Sequence, residues 1–275
     1  MKQGIEPETS DWMHRAEAVQ GIERIEAFFQ GNAYALHRHD TYAIGRTLTG
    51  VQSFNYRGGM CNSLPGHTMV LHPDEPHDGQ AGTDEGFRYR MIYVEPALIQ
   101  SVLGGKALPF IKGGLTANAR LLNATETLLA QMHSPLDPLV QDDALVELAY
   151  ALNAASDAPL APVSADFASA RLAREYLHAA WQGTVTLDEL AAVTGRDRWS
   201  LSRDFRTFFG TSPYRYLTMR RIEAARRMML EGAALADVAA AAGFADQSHM
   251  TRHFTNTYGI PPARWLRIAG GADTD

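Results

Sequence analysis

The sequence is poor in the residues that build disulfide or zinc frameworks. Its 275 residues include one cysteine, Cys61, which excludes an internal disulfide and a cysteine-rich zinc site. No stretch approaches the roughly 18 consecutive apolar residues of a membrane-spanning helix. Residues 1–20 carry charges throughout and have no apolar core, unlike a secretory signal. These absences predict a protein of the reducing cytoplasm without a membrane segment.

Positive charge is also scarce, and its distribution along the chain is uneven. The formal net charge is −6. Residues 1–164 contain 11 basic and 19 acidic residues, whereas residues 165–275 contain 14 arginines, no lysine and 12 acidic residues, a net charge of +2. Binding to nucleic acid would therefore depend on where individual arginines lie, because the overall charge does not favour it.

The chain is long enough for two domains, and 45% of its residues are hydrophobic. Between residues 22 and 96, short apolar runs separated by glycine turns predict the strands of a small antiparallel barrel or sandwich. Two helices are expected next, one with apolar residues from Leu115 to Met132 and one over residues 138–153. We therefore expect an α+β protein with a β domain over residues 1–155, a linker over 156–165 and an all-α domain over 166–275.

The first half of the helical region has the form of a helix-turn-helix. Thr186 and Glu189 have the spacing of a capping box at the start of a short helix over residues 187–193. A glycine turn and a second helix over residues 198–209 follow. The apolar residues of this second helix repeat at helical spacing and would face the core, whereas its opposite face carries Trp199, Ser202, Arg203 and Arg206.

The same form is repeated closer to the end of the chain. An alanine-rich helix over residues 235–242 precedes a turn at Gly243-Phe244 and a helix over residues 246–258. Between the two units, a helix over residues 213–231 would form a rod about 27 Å long. Successive major grooves on one face of DNA are about 34 Å apart, so two reading helices on such a spacer could enter adjacent grooves.

One motif carries a family resemblance. Gly243-Phe244-Ala245-Asp246-Gln247-Ser248-His249-Met250-Thr251-Arg252-His253-Phe254, followed by Tyr258-Gly259-Ile260-Pro261-Pro262, resembles the C-terminal signature of the AraC/XylS transcription regulators. The resemblance covers about the last 105 residues. It implies a double helix-turn-helix domain whose readers of base edges are Trp199, Ser202 and Arg203 in the first unit and Gln247, Ser248, His249, Thr251 and Arg252 in the second.

The chemistry of these residue types agrees with that role, since arginine suits guanine and glutamine suits adenine. We further expect phosphate contacts from Arg196, Arg198, Arg206 and Arg220. Alternatives remain open for single residues. Trp199 could belong to the core, His249 could cap or pack against its own helix, and Arg203 and Arg252 could be ordinary solvated arginines.

The β region contains a group of histidines. His37-Arg38-His39-Asp40 followed by Tyr42, and later His72-Pro73-Asp74-Glu75-Pro76-His77, resemble the cupin-type sensor domain of the same family. His37 and His39 are two residues apart and would point to one face of a strand. The resemblance implies an effector pocket at His37, His39, Tyr42 and His77.

Three roles stay open for these histidines, namely a ligand pocket without metal, a structural hydrogen-bonding role and a metal site. Metal-dependent cupins carry a glutamate shortly after the second histidine, and Asp40, Thr41 and Tyr42 stand there instead. We therefore expect no metal and no other cofactor.

The resemblance implies a transcription regulator, and we expect an activator whose binding to double-stranded DNA is controlled by a small molecule. Further expected partners are RNA polymerase and a second copy of the chain, bound through residues 115–153. The sequence has no nucleophile elbow and no nucleotide-binding fingerprint, so an enzyme is not expected. Two alternatives are a metal-dependent cupin enzyme with an appended DNA-binding module and a constitutive DNA-binding protein whose barrel only dimerises.

Overall fold

The computed structural model describes residues 10–17, 19–130, 132–133, 135–157 and 165–270. The predicted linker over 156–165 lies mostly outside the described residues. The strands in the described part are β1 (Trp12–Arg15), β2 (Ile22–Phe29), β3 (Asn32–His37), β4 (Tyr42–Gly50), β5 (Gln52–Tyr56), β6 (Gly59–Ser63), β7 (Thr68–Leu71), β8 (His77–Ala81), β9 (Phe87–Val94) and β10 (Leu115–Thr116).

The helices follow the β region, as expected for a two-domain α+β chain. None of those described is both long and apolar enough to cross a membrane. They are α1 (Pro96–Leu103), α2 (Ala119–Leu129), α3 (Pro138–Ala155), α4 (Phe167–Ala179), α5 (Leu187–Thr194), α6 (Arg198–Phe209), α7 (Pro213–Leu230), α8 (Leu235–Ala241), α9 (Gln247–Tyr258) and α10 (Pro262–Gly270).

The strands form two antiparallel sheets that face each other and do not close into a barrel. The larger sheet has the order β1-β2-β9-β4-β7-β10 and the smaller one the order β3-β8-β5-β6. In the smaller sheet, His37 of β3 lies directly opposite His77 of β8. This register brings two histidines that are distant in the sequence side by side.

In the described part of the chain, three hydrophobic clusters make up the core, and one of them crosses between the domains. Apolar side chains from the inner faces of both sheets, such as Phe29 and Phe54, pack in the same cluster as Phe254 of α9 and Trp265 of α10. A second cluster lies between the outer face of the larger sheet and α1–α3, and a third forms the interior of the first helix-turn-helix unit. The second unit therefore shares its core with the β domain.

The first helix-turn-helix unit begins and ends where local signals predict. The Thr186 side chain accepts a hydrogen bond from the Glu189 N–H, and the Glu189 carboxylate accepts one from the Thr186 N–H, which confirms the capping box. The recognition helix α6 spans the predicted residues, with Asp197 as its N-cap and Gly210 as its left-handed C-cap.

The expected helix from Leu115 begins later than predicted. Leu115 and Thr116 pair with Met69 and Thr68 at the edge of the larger sheet. The helix α2 starts only after its N-cap, Asn118. The apolar spacing of Leu115 fits a helix, but the residue is held by the neighbouring strand.

Candidate DNA interface and ligand cavity

The outer face of α6 presents the side chains proposed from the sequence to read bases. Trp199 is 62% exposed, so it is not a core residue. The Arg198 guanidinium lies over its ring at 4.9 Å from the centroid. Arg203 is exposed, and its Nη2 donates to Ser200 Oγ at 2.8 Å. The half-buried Ser202 accepts from Arg206 Nη1 at 2.6 Å, so polar groups line this face continuously.

On the corresponding face of α9, only some of the proposed base-reading side chains are exposed. Gln247, Ser248 and Arg252 are exposed, whereas Thr251 and His249 are half-buried. His249 accepts a long bond from the Ala245 N–H at Nδ1, 3.4 Å away, and its Nε2 lies 2.9 Å from His253 Nε2. In this arrangement His249 Nε2 donates to His253, so His249 would have to leave this pair to contact a base.

The four arginines expected at phosphates do not share one environment. Arg198 and Arg206 are exposed at the ends of α6. Arg196 lies before this helix, and its Nε donates to the buried carboxylate of Asp204 at 2.9 Å. Arg220 differs from expectation, because it is only 8% exposed and is ion-paired inside the protein. Its guanidinium does not reach the surface of the DNA-binding domain in this structure.

A cavity of about 180 Å³ lies between the two domains. The inner strands of the β domain form most of its wall. The helical domain supplies the rest through side chains of the spacer helix α7, the end of α9 and α10, namely Met219, Arg220, Glu223, Arg226, Thr257, Tyr258 and Trp265. A molecule in this cavity would therefore touch both domains at once.

Three histidines predicted for the effector pocket meet in this cavity. The ring centroids of His37 and His77 are 4.2 Å apart, and those of His39 and His77 are 4.8 Å apart. Desolvation of the rings lowers the pKa of His39 to about 3 and that of His77 to about 4, and it lowers the pKa of His37 well below its usual value. All three rings are thus neutral at pH 7.

Tyr42, the fourth residue expected in the pocket, lies on the other side of the sheet. It is fully buried against the outer cluster, and its hydroxyl donates to the Pro109 carbonyl at 2.7 Å. Its neighbours Thr41 and Ala43 line the cavity instead. Side chains alternate across a strand, so Tyr42 cannot share a face with them.

A buried arginine–glutamate chain in the cavity wall was not predicted from the sequence. Glu23 of β2 accepts from Arg15 Nη2 and from Arg226 Nη1, each at 2.6 Å. These two pairings lower the pKa of Glu23 against the effect of burial. Arg15 Nη1 and Arg226 Nε are buried and have no hydrogen-bond partner among the described residues. Two N–H donors therefore remain for a ligand.

A second buried network joins the spacer helix to the β domain. Arg220 Nη2 donates to Asp40 Oδ2 at 2.9 Å, and its Nη1 lies 3.3 Å from Glu95 Oε1 and 2.9 Å from Glu223 Oε2. Glu95 also accepts from Arg174 of α4 at 2.7 Å. Glu95 thereby ties both α4 and the spacer helix α7 to the β domain.

Comparisons with known proteins match two separate parts of the chain. The family model described as the AraC-like ligand binding domain matches residues 19–149, and a helix-turn-helix domain model matches residues 190–268. The chain is 26% identical over 235 residues to the HTH-type transcriptional regulator YbfI of Bacillus subtilis, covering 82% of this chain and 86% of that protein. It is 37% identical over 98 residues to the transcriptional activator NphR of a Rhodococcus species, covering 35% of this chain and 28% of NphR.

The fold is shared over nearly the whole chain with a solved structure. ToxT from Vibrio cholerae, crystallised with an unsaturated fatty acid bound, superposes with a TM-score of 0.63 at 12% identity. The superposition covers 98% of this chain and 100% of that one. Both domains therefore belong to a known architecture.

Proposed function

Because the chain belongs to the AraC family of transcriptional regulators, we propose that it is an activator whose binding to double-stranded DNA is controlled by a small-molecule effector. The observation that carries this proposal is the cavity between the domains, because its wall includes the spacer helix and the second helix-turn-helix unit. An effector changes DNA binding only if it has different affinities for two arrangements of the protein. A ligand that touches both domains meets this condition.

The wall of the cavity indicates the chemistry of the effector. Apolar and aromatic side chains such as Met91 and Trp265 surround the space, and Arg15 and Arg226 each offer an unpaired N–H donor. This combination fits a molecule with an apolar body and an anionic acceptor group, of which a carboxylate is the simplest case. The unsaturated fatty acid bound to ToxT is a molecule of this class and supports the proposal.

A ligand series tests effector control. Carboxylic acids of increasing chain length, up to unsaturated fatty acids, are compared with the matching primary alcohols. We expect the acids that fit to raise the melting temperature and to change the affinity for DNA, and the alcohols to act more weakly because they carry no charge for the two arginines. If no acid changes either quantity, effector control through this cavity is wrong.

The base readers are tested on DNA selected from a random pool with the unaltered protein. Arg203→Ala and Arg252→Ala should each weaken binding to the selected site by about 1–3 kcal/mol and relax the preference at one base position. Arg206→Ala, which removes a proposed phosphate contact, should weaken binding to all sequences alike and lower the salt dependence. Affinities are measured by fluorescence anisotropy at several salt concentrations.

Lys112→Ala provides the control, because this side chain is exposed and lies in the β domain, outside both helix-turn-helix units. Its binding should match that of the unaltered protein. Unchanged specificity in both Arg203→Ala and Arg252→Ala would contradict the assignment of the two reading helices.

We also propose that the active form is a dimer that contacts RNA polymerase. The exposed side of α3 carries apolar residues with helical spacing, which supports residues 115–153 as the interface; they are Leu139, Val140, Val146 and Tyr150. Sedimentation of the full chain tests this, and a monomer at all concentrations would contradict it. A regulator of this kind acts on DNA in the cytoplasm and is not expected to be an enzyme.

A further inference from the structure

We propose that His37, His39 and His77 bind a divalent transition-metal ion in the wall of the cavity between the domains. One ring nitrogen from each residue lies within 4.8 Å of those of the other two. His37 and His77 are opposite each other across β3 and β8, and His39 follows β3 by two residues. Residues from two strands are thus brought to one point, as in metal sites built on sheets.

The hydrogen bonds of the three rings prepare them as ligands. Each Nδ1 lies beside a main-chain carbonyl oxygen, 2.8 Å away for His37 and 2.9 Å away for His39 and His77. A carbonyl oxygen only accepts, so each Nδ1 carries the proton and each Nε2 keeps its lone pair. Metal-binding histidines are oriented in this way, with the second nitrogen donating to a carbonyl or carboxylate.

Carboxylates outnumber arginines among the residues that line the cavity. Its lining residues include five carboxylates, three arginines and the three neutral histidines, a formal charge of −2. Asp40, which follows His39 in the sequence, is paired with Arg220 and does not join the cluster.

The ligand set of three imidazoles without a carboxylate favours particular metal ions. Nitrogen ligands suit Zn²⁺, Co²⁺, Ni²⁺, Cu²⁺ and Fe²⁺ better than Mg²⁺ or Ca²⁺. Zinc sites with three histidines and an open fourth position need no carboxylate, so the missing glutamate noted in the sequence does not exclude this site. Zinc–nitrogen bonds of about 2.0–2.1 Å would draw the ligand nitrogens closer together than in this structure, and the open position would face the cavity.

The site adjoins the second recognition helix. The Ala35 N–H donates to the Gly259 carbonyl at 2.9 Å, and the Arg38 N–H donates to the Asn256 carbonyl at 3.1 Å, so the His37 region of β3 carries the end of α9. An ion that fixes β3 against β8 would also fix the part of the β domain to which the end of α9 is hydrogen-bonded. This consequence rests on the proposed function, whereas the metal site itself does not.

A metal titration of the full-length protein tests the site. Chelator-stripped protein is titrated with Co²⁺, followed by its visible d–d absorption, and with Zn²⁺, followed by calorimetry. We expect one ion per chain with nitrogen ligation, and at least about 100-fold weaker binding in His39→Gln and His77→Gln, since even the loss of an outer-shell partner weakens metal sites 10–100-fold.

Two other histidine pairs provide controls, because they could also bind an ion. His14 and His133 have ring centroids 4.7 Å apart, and His249 and His253 form a pair on α9. His133→Ala and His253→Ala should each retain the ion. Loss of the ion in either of these variants, with retention in His39→Gln, would assign it elsewhere and overturn the proposal.

A measurement on the unaltered protein tests the site even where the variants fail to fold. Zn²⁺ should protect His37, His39 and His77 from carbethoxylation, as located by mass spectrometry. Absence of Co²⁺ and Zn²⁺ binding at micromolar protein, or binding without this protection, overturns the metal site. Neither measurement uses DNA or an effector, so a negative result leaves the proposed effector control standing.

Discussion

Replacing Arg220 with alanine is expected to lower the free energy of unfolding by about 3–5 kcal/mol, because it removes one partner of a buried ion pair. Arg220 is 8% exposed and donates to the buried Asp40 and to Glu95 of the β domain. Burial raises the pKa of Asp40 even with the guanidinium beside it. Without Arg220, Asp40 must either remain charged without its closest partner or take up a proton.

An exposed ion pair in the same protein provides the matched control. Arg120 donates to Glu147 at 2.6 Å, and both side chains are about half exposed. Arg120→Ala should leave the free energy of unfolding nearly unchanged, because water replaces the lost pairing. Urea unfolding followed by tryptophan fluorescence measures both variants. Equal losses for Arg220→Ala and Arg120→Ala would contradict a role of the buried network in holding the domains together.

A double variant separates the ion pair from other effects of the truncation. Asp40→Asn removes the charge that Arg220→Ala leaves behind, so the combined variant should be less destabilised than the sum of the two single changes. The same variants bear on regulation, because Arg220 lies in the helix between the two helix-turn-helix units. Loosening this contact should weaken the dependence of DNA affinity on any effector in the cavity.

Local features of the fold could be predicted from the sequence because neighbouring residues determine them. The bounds of α6 depend on Asp197 at its start and Gly210 at its end, and both are visible in the sequence. The capping box at Thr186 and the polar face with Trp199 and Arg203 depend on spacing within one helix. The bounds of α6 and the faces of its side chains were therefore predictable from neighbouring residues alone.

The cavity could not be predicted in the same way, because it forms only when the two domains pack. Arg220 lies on the polar side of a helix, and the sequence does not tell whether that side meets water, DNA or another domain. Arg15 and Arg226 meet at Glu23 from opposite ends of the chain. Tyr42 was misplaced because a shift of one residue along a strand reverses the face of the side chain.

Both recognition helices end at a glycine that touches the β domain. Gly210 ends α6 with φ +71°, and a Cβ there would lie 2.6 Å from Pro73 Cβ. Gly259 ends α9 with φ +70°, and a Cβ there would lie 2.8 Å from the Ala35 carbonyl oxygen and from His37 Nδ1. The C-terminal end of each recognition helix thus packs against the β domain at a glycine, where a larger residue would clash.

Gly259→Ala is therefore expected to destabilise the protein by about 2–5 kcal/mol. A left-handed backbone costs an alanine about 1–2 kcal/mol, and the crowding against β3 adds about 1–3 kcal/mol because a main-chain oxygen cannot move aside as a flexible side chain can. Gly195→Ala is the matched control. Gly195 ends α5 with φ +67°, and nothing lies within 4 Å of its Cβ position, so this variant should show only the backbone cost.

Amide hydrogen exchange distinguishes separation of α9 from general loss of stability. The Ala35 and Arg38 amides donate to carbonyls at the end of α9, so they should exchange faster in Gly259→Ala and remain protected in Gly195→Ala. Protection of both amides in Gly259→Ala would contradict the seating of α9 on β3. Gly210→Ala should leave these two amides protected, since its crowding falls on Pro73. The two glycine variants would then release the two reading helices one at a time, and comparing their DNA affinities would show which helix the β domain controls.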